Sequence, residues 1–282
     1  MQRLRRMMLR NLPLALLPGA AFPAAAAAEA KGTDANAAIS HIRRDGMLKV
    51  AVPRVRAAPF FTLSDAPSSG VDIAIAEALA RSLHVPLQID RRAGSFNEVI
   101  DQIAAGGVHL ALCKLSRTLP RAQRVFYTKP YAVLLHALFI NRLGFAALSR
   151  GKKPEDTLRN FEGDLGILAN SSYHDIALRD FPRARLHEYA DWESVFHAVR
   201  TGELHAGYSD HYTINRLFSA DRGLSLTARM ITLNDKIDRI AVAVPHAAFH
   251  FAAYIDLFME LSHGAQALPA GELVKTYGIQ DA

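Results

Sequence analysis

Residues 71–113, VDIAIAEALARSLHVPLQIDRRAGSFNEVIDQIAAGGVHLALC, switch back and forth between two periodicities. VDIAIAEALARSLHV (71–85) repeats its apolar residues at helical spacing behind Asp72, a candidate helix cap. SFNEVIDQIAAGG (95–107) does the same until two glycines stop it. Between and after these helices, PLQIDRR (86–92) and VHLALC (108–113) are short runs of strand length, and upstream MLKVAVP (47–53) is a β-branched run closed by Pro53. Strands alternating with helices predict a parallel sheet covered by helices.

The alternation then restarts. DLGILA (164–169), ARLHEYA (184–190) and LHAGYS (204–209) read as strands, and SYHDIALRDF (172–181) and DWESVFHAVRTGE (191–203) as helices, the second ending near Gly202. Two β-α-β-α-β blocks predict two lobes. The apolar run YAVLLHALFINR (131–142) fits a strand crossing from one lobe to the other, and DRIAVAVP (238–245) one crossing back. The tail, FAAYIDLFMELSHGAQALPAGELVKTYGI (251–279), reads as a helix, a Gly/Pro break and a second helix. The predicted fold is α/β with two lobes, each a mostly parallel sheet flanked by helices, joined by two crossover strands. Lobe 1 is expected over 46–135 and again over 242–282, and lobe 2 over 142–236.

Residues 1–28 have a basic start, a Leu/Ala run and several A-x-A sites, the pattern of a cleaved secretory signal. Pro13, Pro18 and Pro23 interrupt the run, which argues against a membrane span. The Arg5-Arg6 pair leaves Sec and Tat export both open, with Sec the default. Four of the 33 Lys+Arg precede Glu29, so 29 bases face 27 acids in the exported chain. That balance, without a basic stripe, predicts no nucleic-acid partner. The single cysteine, Cys113, allows no internal disulfide, so the core must hold the exported fold.

Candidate binding residues cluster at predicted strand ends, where open α/β sheets place ligands. In LCKLSRTLPRAQRVFYTKPY (112–131), Ser116 and Thr118 offer hydroxyls and Arg121 a guanidinium that can grip a carboxylate through two parallel hydrogen bonds. The plainer alternative is a Ser or Thr helix cap followed by a solvated arginine. LANSSYHD (168–175) sets Asn170, Ser171 and Ser172 between a strand and a helix, where free N–H groups attract an anionic oxygen. Asp210 follows the strand LHAGYS and could take a ligand ammonium, or could cap the helix HYTINRLF. Catalytic and metal patterns are weak. GYSDH (207–211) lacks the closing glycine of a nucleophile elbow, His246 and His250 lack the glutamate of a zinc protease, and no dinucleotide or P-loop fingerprint occurs. No cofactor and no metal are expected.

Taken in order, these pieces resemble the family 3 periplasmic solute-binding proteins, the polar amino acid receptors of ABC transporters. LKVAVP, the Pro59-Phe60 turn and Gly70-Val71-Asp72 are similar to that family's opening strand, turn and helix start. Ser116, Thr118, Arg121, Val125, Tyr127, Thr128, Pro130 and Tyr131 fall in register with its signature S/T-x-T-x-x-R followed by V-x-F-S-x-P-Y, and GELVKTYG (271–278) with its closing Lys-Tyr-Gly. The resemblance spans about Met47 to Gly278. It implies a periplasmic-binding-protein-like fold and a monomeric, non-enzymatic periplasmic receptor that captures a small carboxylate-bearing solute, an amino acid foremost, for an inner-membrane ABC permease. By the same resemblance Arg121 would hold the ligand carboxylate with Ser116 and Ser172, the ammonium would meet Asp210, the Ser116 hydroxyl and the Lys114 carbonyl, and Phe96 would wall the side chain. Phe60 and Ser171 complete the expected ligand-binding set.

Five departures stand out. Lys114 replaces a small residue, Ala57 an aromatic one, His109 and His205 an aspartate in each lobe, and Asn170 a glycine. The first two bear on ligand class, toward an extra carboxylate, a bulkier side chain or a solute other than an amino acid. The fold also hosts cyclohexadienyl dehydratases and sensory modules, and these are the competing functions.

Overall fold

The computed structural model describes residues 37–63, 69–221 and 223–279; the expected signal segment, 1–28, lies outside them. After α1 (Ala37–Asp45), the chain alternates as β1 (Leu48–Ala51), α2 (Val71–Ser82), β2 (Leu87–Asp90), α3 (Phe96–Ala104), β3 (Leu110–Ala111) and α4 (Leu119–Ala122). The long strand β4 (Val125–Asn141) then leads into α5 (Arg142–Leu148) and α6 (Pro154–Arg159). A second alternation follows: β5 (Asp164–Leu168), α7 (Tyr173–Asp180), β6 (Arg185–Tyr189), α8 (Trp192–Thr201), β7 (Ala206–Asp210), α9 (His211–Ala220) and α10 (Leu224–Thr227). The chain closes with β8 (Ala228–Pro245), α11 (Phe249–His263), β9 (Leu268–Pro269) and α12 (Ala270–Thr276).

Helix limits follow local chemistry. Ser95 accepts the Glu98 N–H while Glu98 accepts from Gly94 N and Ser95 Oγ, a reciprocal cap that starts α3. Asp191 caps α8 through Ser194 N, and Gly202 ends that helix in the left-handed conformation at φ 85°. Asp72 is not the cap expected from sequence. Gly70 holds that place at φ 122°, and a Cβ there would lie 2.3 Å from Phe60 O, so only glycine fits. Asp72 instead lies buried in the first turn of α2, where it accepts from Tyr131 OH at 2.7 Å and Lys114 N at 2.6 Å.

The strands run β2-β1-β3-β8-β4-β7-β5-β6, with β9 beside β4. β1 is parallel to β2 and β3, and β5 is parallel to β6 and β7. The crossover strands introduce the antiparallel pairs, β4 with β8 and β7, and β8 with β3. Both crossovers are longer than their apolar runs suggest: β4 begins at Val125 and β8 at Ala228, upstream of the runs that start at 131 and 238. Pro130 cannot donate to the ladder, and the register shifts on either side of it. Thr128 Oγ1 accepts the Val242 N–H at 3.1 Å within that irregular stretch.

Apolar burial collects into two cores. One gathers Leu48, Val50, Ile75, Leu79, Val99 and Ile103 with Phe251, Ile255 and Leu273 from the closing helices. The other gathers Phe139, Leu165, Ile167, Val195, Phe196 and Tyr208. The carboxyl ends of β3 and β7 meet where the two cores face one another, and the polar residues singled out from sequence lie there.

Candidate functional site

The turn after β3 is shaped by backbone chemistry. Lys114 has φ 53°, a left-handed conformation that a residue with a Cβ rarely adopts, and its N–H is fixed by the Asp72 carboxylate. This directs the lysine side chain across the cleft. Its Nζ lies 2.5 Å from Asp210 Oδ2 and 3.3 Å from Thr213 Oγ1, above the Phe60 ring with 5.3 Å to the ring centroid. The side chains of Lys114 and Asp210 are 10% and 2% exposed. Asp210 is also the cap of α9, accepting from Thr213 N at 3.0 Å and Thr213 Oγ1 at 2.8 Å. Burial raises the Asp210 carboxyl, but the Lys114 charge and the Lys114 and Thr213 hydrogen bonds outweigh it and hold the pKa down to about 2.

Arg121 is treated differently. It is 5% exposed, and its N–H groups donate to neutral oxygens, Asn97 Oδ1 at 2.9 and 3.2 Å and Ser116 O at 3.2 Å. Among the described residues no carboxylate forms an ion pair with it. Burial accordingly lowers its pKa below the ordinary arginine value. Next to it, Ser116 donates its hydroxyl to Asp238 Oδ2 at 2.6 Å. Asp238 is buried in β8, and that burial raises its pKa against the pull of His136 and Ser116.

These groups line a cavity of about 30 Å³, together with Arg56, Ala57 and Phe96 on one side and Leu168, Ser171, Ser172, Tyr173 and Trp192 on the other. By the measure that needs roughly 10–15 Å³ for one water, this is room for about two. Ser171 Oγ donates to Leu168 O and accepts from Tyr173 N, which shapes the turn before α7. Asp238 also lines a second, larger chamber of about 510 Å³, edged by Arg117, Arg179 and Arg239. Across the cleft, Asn97 N donates to Asn170 O at 3.2 Å, with Asn170 at φ 52°.

Seven of the residues singled out from sequence converge on the inner cavity: Lys114, Ser116, Arg121, Phe96, Ser171, Ser172 and Asp210. Two do not. Thr118 caps α4 by accepting the Arg121 N–H, the plainer reading, and faces the outer chamber. Phe60 is buried in the first core and touches the site through the Lys114 ammonium. The Ser116 hydroxyl, expected to meet a ligand ammonium, is committed to Asp238. Asp238, Asn97, Tyr173 and Trp192 were missed, as they carry no local motif. Among the described residues no group of three His, Cys, Asp or Glu could hold a metal ion, and no helix is long and apolar enough to cross a membrane.

Residues 48–145 match the family described as bacterial extracellular solute-binding proteins, family 3. Among curated proteins, the chain is similar to membrane-bound lytic murein transglycosylase F 1 of Alkalilimnicola ehrlichii, 27% identical over 199 residues, 67% of this chain and 38% of that protein. It is also similar to the transglycosylase F of Maricaulis maris, 30% identical over 111 residues, 39% of this chain and 23% of that one. The matched stretch thus spans well under half of these relatives.

Among solved structures, the solute receptor for L-cysteine of Neisseria gonorrhoeae superposes with a TM-score of 0.66 at 16% identity, covering 85% of this chain and 92% of that one. An amino acid ABC transporter substrate-binding protein from Streptococcus pneumoniae bound to L-arginine gives 0.64 at 18%, covering 86% and 99%. An ancestral amino acid-binding protein described as a precursor of cyclohexadienyl dehydratase gives 0.65 at 15%, again covering 86% and 99%. The fold is the two-lobed periplasmic-binding-protein fold expected from sequence, and the family resemblance holds over the matched residues.

Proposed function

From a chain that matches the family 3 solute-binding proteins over residues 48–145 and shares their fold, we propose a receptor that captures a small carboxylate-bearing solute between its lobes. One observation carries this reading: Arg121 is buried, lines the cavity, and has no carboxylate partner among the described residues. An uncompensated buried cation is unfavourable, and a bound carboxylate supplies the missing charge and two parallel hydrogen bonds. Ser116, Ser171 and Ser172 line the same space and complete the acid-binding surface.

In this reading lobe 1 comprises 46–135 and 242–282, lobe 2 comprises 142–236, and β4 and β8 form the hinge. Ligand binding favours the closed form, joined by Lys114 to Asp210 and Asn97 to Asn170, and an inner-membrane ABC permease recognises that form. The exported protein, freed of residues 1–28, acts as a periplasmic monomer. The similarity to murein transglycosylases supports a second role for the same module, reporting a bound solute to another protein. A dehydratase reading draws on Asp238, a buried carboxyl in the cleft whose raised pKa suits a proton donor.

The test is a thermal-shift screen of the exported chain against small mono- and dicarboxylates, amino acids and cyclohexadienyl acids, beside Arg121→Ala. A true ligand at 100-fold excess over its Kd stabilises the wild type by about 2.7 kcal/mol, and Arg121→Ala loses the shift. No shift with any acid, or a shift kept by a folded Arg121→Ala, overturns the proposal. Turnover of a cyclohexadienyl acid replaces it with the enzyme reading.

A further inference from the structure

We infer that Lys114 serves as a built-in ammonium, so that the site takes a small carboxylic acid lacking an α-amino group rather than a zwitterionic amino acid. The inference rests on the acid-binding reading above and narrows its ligand class. The decisive geometry is the accounting of carboxylates around the inner cavity. Asp210 and Asp238 are the two carboxylates among its lining residues. Asp210 has both oxygens engaged, Oδ1 by Thr213 N and Oδ2 by Lys114 Nζ and Thr213 Oγ1. Asp238 accepts the Ser116 hydroxyl on Oδ2, and its burial favours the neutral form.

A ligand ammonium therefore finds Asp210 already neutralised and is repelled by Lys114 and Arg121, whereas a lone carboxylate balances Arg121. Lys114 is not free to leave. Its backbone N–H is tied to Asp72, and its Nζ has Asp210, Thr213 and the Phe60 face as partners. Phe60 supports the lysine from behind rather than walling a ligand. The small volume favours short acids over long ones.

Isothermal titration with matched pairs tests this: acetate against glycine, propionate, lactate and pyruvate against alanine, and succinate against aspartate. The wild type should bind the deamino acid at least tenfold more tightly within the pair that binds best. Lys114→Met frees Asp210 and should move that ratio at least tenfold toward the amino acid. Because that variant leaves a buried carboxylate unpaired and can fail to fold, Lys114→Met/Asp210→Asn is measured beside it and should bring the ratio close to one. An amino acid bound as tightly as its deamino partner by the wild type overturns the inference while leaving the acid-binding function standing. An unchanged ratio in the folded double variant also overturns it. Binding of neither class by the wild type overturns both.

Discussion

At the amino ends of their parallel strands, the two lobes use one device. His109 Nδ1 accepts the N–H of Lys49 in β1 at 3.0 Å, and its own N–H returns to Lys49 O; His205 Nδ1 accepts the N–H of Asp164 in β5 at 3.1 Å, and its N–H returns to Asp164 O. At the carboxyl ends the likeness stops. The first lobe presents a buried cation, Arg121, without a carboxylate partner among the described residues, and a second cation, Lys114, that reaches across to the other lobe. The second lobe presents Asp210, already neutralised. The scaffold repeats because the parallel strands of both lobes must solve the same backbone hydrogen-bonding problem. The cleft is free to differ because its residues answer to a site rather than to the scaffold, and there the two halves meet as unlike partners, Lys114 with Asp210.

The largest expected effect separates the two cations. Lys114→Met strands a buried carboxylate and should destabilise the protein by roughly 3–5 kcal/mol, while Lys114→Met/Asp210→Asn recovers most of that loss. Arg121→Met strands no charge and should change ligand-free stability by about 1 kcal/mol or less, because the neutral hydrogen bonds it gives up are offset by relief of a desolvated guanidinium. Urea unfolding of the four proteins checks this. An Arg121→Met loss as large as that of Lys114→Met would mean that Arg121 is a structural cation, and the contrast between the two ends would collapse.

Two buried aspartates sharpen the contrast through pH. Burial raises the Asp72 pKa to about 7 against hydrogen bonds from Tyr131 and Lys114. The folded chain then keeps a proton that the unfolded chain has lost, so this contribution is fully present below about pH 4 and disappears as the pH rises through 7, by up to roughly 4 kcal/mol. Asp210 is depressed to about 2, so its contribution is present above about pH 4 and is lost as the pH falls toward 2. Melting temperatures from pH 2 to 8 should show both limbs. Asp72→Asn should reduce the neutral limb, which the raised Asp238 shares, and Lys114→Met/Asp210→Asn the acid limb, which the depressed Asp164 shares. A neutral limb unchanged in Asp72→Asn refutes the assignment.

Much of this architecture is legible in the sequence, for a physical reason. Strands and helices of two β-α-β-α-β blocks bury one face each, so their periodicity survives in the order of residues, and strand ends such as Ser116 and Asp210 can be found by counting from it. The crossovers were legible only in their apolar halves. Asp238 lies where β8 passes between the lobes, and its role depends on Ser116, 122 residues away in the chain. Tyr173 and Trp192 look like helix-start residues until the lobes meet. Asp72 reads as a cap because an acidic residue near a helix start usually is one; its contact with Lys114 N exists only after β3 turns back beside α2. Lys114 was visible as an anomaly, yet its partner was a matter of tertiary structure.

The smallest expected effect bears on the half of the comparison that repeats. The side chains of His109 and His205 are 15% and 26% exposed, so deleting either acceptor leaves a backbone N–H that water reaches only in part. His109→Ala and His205→Ala should each lower stability by about 1 kcal/mol, and by amounts that agree within roughly 0.5 kcal/mol. Aspartate at either position supplies an acceptor to the same N–H, so His109→Asp and His205→Asp should lose less than the alanine variants. His109 also has Asp45 Oδ2 3.4 Å from its Nε2, which places a repelling carboxylate near an introduced aspartate, whereas Asp164 lies 3.1 Å from His205 Nδ1 and does the same in the second lobe. Rescue by aspartate should therefore be partial in both lobes and stronger in 0.5 M salt, where exposed like-charge repulsion is screened. Rescue in one lobe alone would show that the shared device supports two different local structures, and that the repetition between the lobes is one of geometry without common energetics.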